Sequence, residues 1–181
     1  MNLLWLQSGG CGGCTLSWLG SGHGPLFKVL AEEGIELMWH PSLSEEGVDA
    51  ARALLEDCAA GRRAVDVFCV EGALLRGPHG SGGFHRFSGG SEPMIEWVRR
   101  IAMRARHVVA VGSCAAWGGI TAAGINPTDA CGLQYDGESS GGLLGPEFLD
   151  GSGLPVINVA GCPPHPDWIT ETLAALAQRR L

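Results

Sequence analysis

The chain has 181 residues, the size of one domain, and a chain of that length buries roughly 70% of its unfolded surface without cross-links. A formal charge of −7 with a single lysine excludes an electrostatic grip on nucleic acid or an anionic membrane face as its main job. No apolar run approaches the ~20 residues of a membrane span, and Met1–Gln7 carries neither a basic leader nor twin arginines, so a soluble cytoplasmic protein is expected. Seven cysteines, an odd number in a chain without an export signal, point to metal or redox chemistry rather than a disulfide framework.

Short apolar runs alternate with amphipathic stretches, the pattern of a parallel sheet covered by helices on both faces. The first strand is expected over Leu3–Gln7. Pro25–Glu33 follows as a helix that starts with proline and is closed by Gly34. Ile35–His40 reads as the second strand. Ser44 is placed to cap a helix whose stripe is Val48, Ala51, Leu55 and Cys58, ended by Gly61. Val65–Val70 is the third strand. Ser91 is placed to cap a helix burying Ile95, Val98 and Ala102, with Arg99, Arg100, Arg104 and Arg106 toward its end, where cations suit the dipole. His107–Gly112 and Leu154–Val159 complete five strands, and a last helix starts near Asp167 and buries Ile169, Leu173 and Leu176. The expected architecture is a single α/β domain over residues 1–181, a flavodoxin-like three-layer sandwich on a parallel five-stranded sheet. Two stretches, Gly72–Gly90 and Ile120–Gly153, lack periodicity and exceed the ~12–15 residues beyond which an irregular loop is usually functional or disordered.

The chemistry-bearing residues fall just past strand ends. Cys11 and Cys14 form a C-x-x-C after the first strand, Cys114 follows the fourth and Cys162 the fifth. In an open parallel sheet these positions share the carboxyl edge, where such proteins bind ligands. Four thiolates accept either zinc or an iron–sulfur cluster. Structural zinc usually draws on two short cysteine knuckles, whereas here one pair is local and two cysteines stand alone, a spacing that favours the cluster. A thioredoxin-type dithiol would use the C-x-x-C but leaves Cys114 and Cys162 without a role. Glu71, closing the third strand, brings a carboxylate to the same edge, as a solvated acid capping a backbone amide or as a carboxylate or proton carrier beside the thiols. Cys58 and Cys69 read as small core residues. Cys131 lies in a long loop without a second cysteine nearby, and His23, His79, His85 and His165 read as polar loop residues. The glycine-rich stretches around residues 10–15 and 20–25 each break the dinucleotide-binding pattern at its last position, and no Walker lysine, nucleophile elbow or zincin motif occurs.

In order and spacing, Cys11-Gly12-Gly13-Cys14-Thr15-Leu16-Ser17, Val70-Glu71-Gly72, Gly112-Ser113-Cys114-Ala115-Ala116-Trp117-Gly118-Gly119 and Gly161-Cys162-Pro163-Pro164 resemble the small subunit of [NiFe]-hydrogenases. Leu4–Cys11, Asn126–Asp129 and Leu133–Asp136 look closest to the cytoplasmic hydrogen-sensing and uptake branch. The resemblance implies one [4Fe-4S] cluster on Cys11, Cys14, Cys114 and Cys162, and a partner large subunit whose nickel–iron centre splits hydrogen. This chain would then relay electrons. Oxygen-tolerant relatives carry two extra cysteines at positions matching Gly13 and Gly119, so an ordinary cubane is implied here. Relatives usually continue into a segment binding medial and distal clusters. The sequence ends at Leu181 without such ligands, which implies a one-cluster subunit or a further electron-carrier subunit. The long loops are the expected interface, with Trp18 or Trp117 as exposed anchors. Two other readings remain: a complex I-like one-cluster subunit, whose adjacent cysteines are missing here, and a non-catalytic module with structural zinc.

Overall fold

The computed structural model describes residues 1–180. Five parallel strands form the central sheet: β1 (Asn2–Gln7), β2 (Glu36–Trp39), β3 (Val67–Glu71), β5 (His107–Val111) and β9 (Ile157–Val159). They lie in the order β2-β1-β3-β5-β9, the flavodoxin-like arrangement, which reverses direction between β1 and β3. The alternation of each strand decides which side chain meets which layer. In β1, Leu4 and Leu6 face one core while Leu3 and Trp5 face the other. The first core is closed by α3 (Val48–Ala59) and α4 (Met94–Ala102), the second by α1 (Gly13–Leu19), α2 (Leu26–Glu32) and α6 (Pro166–Ala177). Cys58 and Cys69 are fully buried in these cores, as their positions on a helix stripe and inside a strand imply.

Several details depart from the sequence expectations. Ser44 does not cap α3: its hydroxyl instead accepts the His40 amide hydrogen at 2.9 Å, and the helix starts after Gly47. Val48, expected inside, sits in the first turn and is 40% exposed. Pro93, not Ser91, precedes α4, because its fixed φ leads directly into the first turn. That helix ends at Ala102, so only Arg99 and Arg100 lie in its last turn, and Arg100 joins Glu56 of α3 at 2.7 Å. The last helix begins at Pro166, with His165 Nδ1 accepting the Asp167 amide hydrogen at 3.3 Å. Trp18 is no exposed anchor. It is fully buried, stacked on Trp5 with ring centroids 4.9 Å apart, because the second core needs a large side chain where α1 crosses the sheet. Trp117 is half-buried against the first core.

The two long loops are not independent. Leu74–Leu75 (β4) pairs antiparallel with Ala130–Cys131 (β6), and a small hairpin of Tyr135–Asp136 (β7) and Ser139–Ser140 (β8) follows. Arg76 clamps this layer by reaching Asp129 and Asp136, each at 2.7 Å. One helix, α5 (Gly112–Trp117), and a 3₁₀ turn over Gly119–Ala122 close the edge above β5.

Candidate functional site

The carboxyl ends of β1, β3, β5 and β9 open into one cavity of about 160 Å³, lined by Cys11, Cys14, Cys114 and Cys162 together with Glu71 and the surrounding glycines. All four cysteines anticipated at this edge are thus brought together. Two arrive on loops and two on the first turns of short helices. Gly9 and Ala73 exchange backbone hydrogen bonds at 2.9 Å, which fixes the Cys11 loop to the turn after Glu71. Cys14 stands in the first turn of α1 and Cys114 in the first turn of α5, where the sequence reading has loops. Cys162 follows β9, and its loop is held by the Ser113 amide donating to Gly161 O at 2.8 Å and the Ser17 hydroxyl donating to Pro164 O at 2.7 Å. Gly112 shows why the approach is so close. Its φ is +87°, and a Cβ there would collide with Cys14 Sγ.

Glu71 is 2% exposed and fully engaged, so it is not a solvated acid. Its Oε1 accepts the amide hydrogens of Cys14 at 3.0 Å and Thr15 at 3.2 Å. Its Oε2 accepts from Trp5 Nε1 and Gln7 Nε2, both at 3.2 Å, and from the Thr15 hydroxyl. The carboxylate thus occupies the N-terminal end of α1, where it takes up the Cys14 and Thr15 amides. The amide-capping role weighed for Glu71 is present, in a buried setting beside the thiols.

The electrostatics of the cavity are those of crowded thiols. Burial, then the Glu71 carboxylate, then the other three cysteines push the Cys14 thiol up to about 12. Burial and the Cys162 thiol raise Cys114, against hydrogen bonds from Thr121 and the Ile120 amide. Such a donor set binds best when a strongly positive centre offsets the thiolate repulsion. Among the described residues no group of three or more His, Cys, Asp or Glu side chains is placed to hold a single metal ion. The thiols surround a space instead, several times the ~30 Å³ of one water molecule. This fits a polynuclear centre.

Cys131 lies outside the cavity, buried in β6, with its thiol donating to Leu74 O at 3.7 Å and pushed up to about 11 by burial. None of the four loop histidines lines it. His23 and His79 are exposed, His165 caps α6, and His85 contacts the Ser8 hydroxyl in a wider cleft of about 510 Å³ beside β1 and β2. The sequence reading missed two participants. Thr15 and His40 are both buried and hydrogen-bonded to each other behind Glu71 at 3.2 Å. Nothing in their local sequence marks them, because the contact joins a helix to the end of a strand.

A doubly wound parallel sheet with four cysteines gathered at its carboxyl edge defines an α/β domain with a thiol-lined site. The chain belongs to the family described as NADH ubiquinone oxidoreductase, 20 Kd subunit, whose pattern matches residues 11–176. Over 190 residues it is 34% identical to the F420 non-reducing hydrogenase II small subunit of Methanosarcina mazei, a match covering 96% of this chain and 47% of that protein. It is 33% identical to the Hydrogenase-2 small chain of Escherichia coli, over 95% of this chain and 41% of that one. Among solved structures, the actinobacterial-type NiFe-hydrogenase from Ralstonia eutropha H16 superposes with a TM-score of 0.84 at 31% identity, covering 99% of this chain and 53% of its counterpart. These relatives are hydrogenase small subunits or hydrogenases, oxidoreductases acting on hydrogen. The chain spans about half the length of the curated relatives it matches.

Proposed function

We propose that this chain is the electron-relay domain of a [NiFe]-hydrogenase small subunit, holding one [4Fe-4S] cluster on Cys11, Cys14, Cys114 and Cys162. The observation that carries the reading is that four thiols, brought by the ends of three strands, line a single cavity too large for one ion. When bound, such a cluster takes up and passes on one electron at a time. The chain's own residues do the rest. Glycines let the backbone close around the thiols, and Glu71 holds the amide of Cys14. Gly13 and Gly119 sit directly against Cys11 and Cys114, where a Cβ would lie 3.1 and 2.8 Å from Sγ, and neither supplies an additional thiol. The reading is therefore of an ordinary cubane, as the family resemblance implies.

The partner in this reading is a large subunit carrying the nickel–iron centre, where hydrogen is cleaved, and a further subunit or acceptor takes the electrons. Exposed apolar side chains support an interface on the two long loops and beside the thiols: Phe84, Ile120, Ile125 and Leu149 on the loops, and Leu16 on α1. Ile125 is 94% exposed and Ile120 82%, which leaves both side chains available to a partner. Seven unpaired cysteines suit a reducing compartment, so the reading includes a cytoplasmic location. Among the described residues no helix is long and apolar enough to cross a membrane.

Anaerobic purification with copurifying proteins, followed by iron, acid-labile sulfide, zinc and nickel analysis, tests the proposal. About four iron and four sulfide per chain, a visible band bleached by dithionite, and nickel in a larger copurifying chain are the expected result. Zinc without sulfide would overturn it in favour of a structural zinc module.

A further inference from the structure

The geometry points to His40 as a positioning residue that aims the Thr15 hydroxyl at Glu71 and thereby sets the reduction potential of the centre held by the cysteines; this rests on the cluster reading above. The argument is hydrogen bookkeeping. The Ser42 backbone amide, which can only donate, lies 3.0 Å from His40 Nδ1, so that nitrogen accepts. Burial holds the ring neutral, with its pKa pushed down to about 4, and the hydrogen therefore resides on Nε2. Nε2 faces Thr15 Oγ1 at 3.2 Å. Gln7 Nε2 also donates to Thr15 Oγ1, at 2.9 Å, while its Oε1 accepts the Ser42 hydroxyl at 2.9 Å. Both lone pairs of the threonine oxygen are thus filled, and its one hydrogen must point to Glu71 Oε2, the contact observed.

The carboxylate at the end of this chain accepts five hydrogen bonds and holds the Cys14 amide. Each donor withdraws negative charge from it. Remove one, and the buried carboxylate presents a stronger negative field to the thiolate site, which disfavours adding an electron there. His40 touches neither a thiol nor Glu71 through any hydrogen bond of its own, yet by filling one lone pair of Thr15 Oγ1 it holds that hydroxyl in its donating direction. The Trp5 ring, 5.3 Å away, keeps it from turning.

The test uses the purified holoprotein, with iron and sulfide measured in each sample. His40→Phe keeps a ring but donates nothing, His40→Gln returns a donor to the Nε2 position, and Thr15→Val removes the hydroxyl. At the midpoint of the unsubstituted protein, the reduced fraction in His40→Phe and Thr15→Val is expected to fall by about threefold or more, as loss of a hydrogen bond to a charged group implies. His40→Gln should restore it. A loaded His40→Phe protein with an unchanged potential would overturn the inference. Should His40→Phe not fold, nitrogen-15 NMR of the unsubstituted, oxidised holoprotein decides: an Nε2-protonated His40 is expected, and an Nδ1-protonated one overturns the proposal. Absence of iron and sulfide overturns the cluster reading instead, which the assay registers separately from the tautomer.

Discussion

Glu71 Oε1 lies 3.0 Å from the amide nitrogen of Cys14, so the third strand supplies the cap for the helix that carries a thiol delivered by the first. Sheet and site are therefore one construction. Glu71→Ala would leave the Cys14 and Thr15 amides and the Trp5 indole without an acceptor in a buried setting, and is expected to destabilise the fold by about 3–5 kcal/mol. Glu71→Gln keeps the shape but turns one acceptor into a donor, with an expected cost of about 1–3 kcal/mol. Chemical denaturation of both variants against the unsubstituted chain measures the difference.

Cysteine substitutions should divide into two groups. Ser at Cys11, Cys14, Cys114 or Cys162 is expected to lower bound iron and sulfide sharply, because those thiols line the cavity. Ala at Cys58, Cys69 or Cys131 should leave iron content unchanged and cost about 1 kcal/mol in stability, as removal of a small buried group does. Metal analysis with a thermal melt on each variant reads both effects.

Gly112→Ala places a methyl group into Cys14 Sγ at a backbone φ of +87°. The expected result is loss of the centre together with a stability cost above about 1 kcal/mol from the backbone alone. Gly34→Ala, also at positive φ but with open space around it, serves as the control that keeps the centre. Iron content and the visible spectrum distinguish the two.

His40 makes stability depend on pH in a defined window. Its ring is fully buried and its pKa is lowered to about 4, mainly by burial, so below the ordinary value near 6.5 the unfolded chain binds a proton the folded one refuses. Its contribution is complete above pH 6.5, declines as pH falls toward 4, and amounts to at most about 3 kcal/mol. Denaturation curves of the unsubstituted protein and His40→Gln between pH 7 and 4 should therefore converge toward the acid end. Parallel curves would contradict this.

The central sheet was readable because its strands are short apolar runs with side chains buried on both faces, as Leu3–Leu6 of β1 and Val67–Val70 of β3 are. The four thiols were readable because C-x-x-C and the two isolated cysteines each follow a strand. The helices carrying Cys14 and Cys114 were not. At seven and six residues they are too short to display a period, and the glycines around them read as turns. The expectation of Trp18 as an exposed anchor fails because the helix turns Trp18 inward and Leu16 and Leu19 outward, an orientation its seven residues are too few to display in sequence. The Gln7, Thr15, His40 and Glu71 network joins residues up to 64 positions apart in a single pair, a relation created only by strand order.

The pairing of β4 with β6, clamped by Arg76 on Asp129 and Asp136, means that the two loops flanking the thiols would offer the proposed partner an already shaped surface. Association then spends little on ordering flexible chain, so modest apolar contacts at Phe84, Ile120 and Ile125 go further toward affinity than they would on mobile loops.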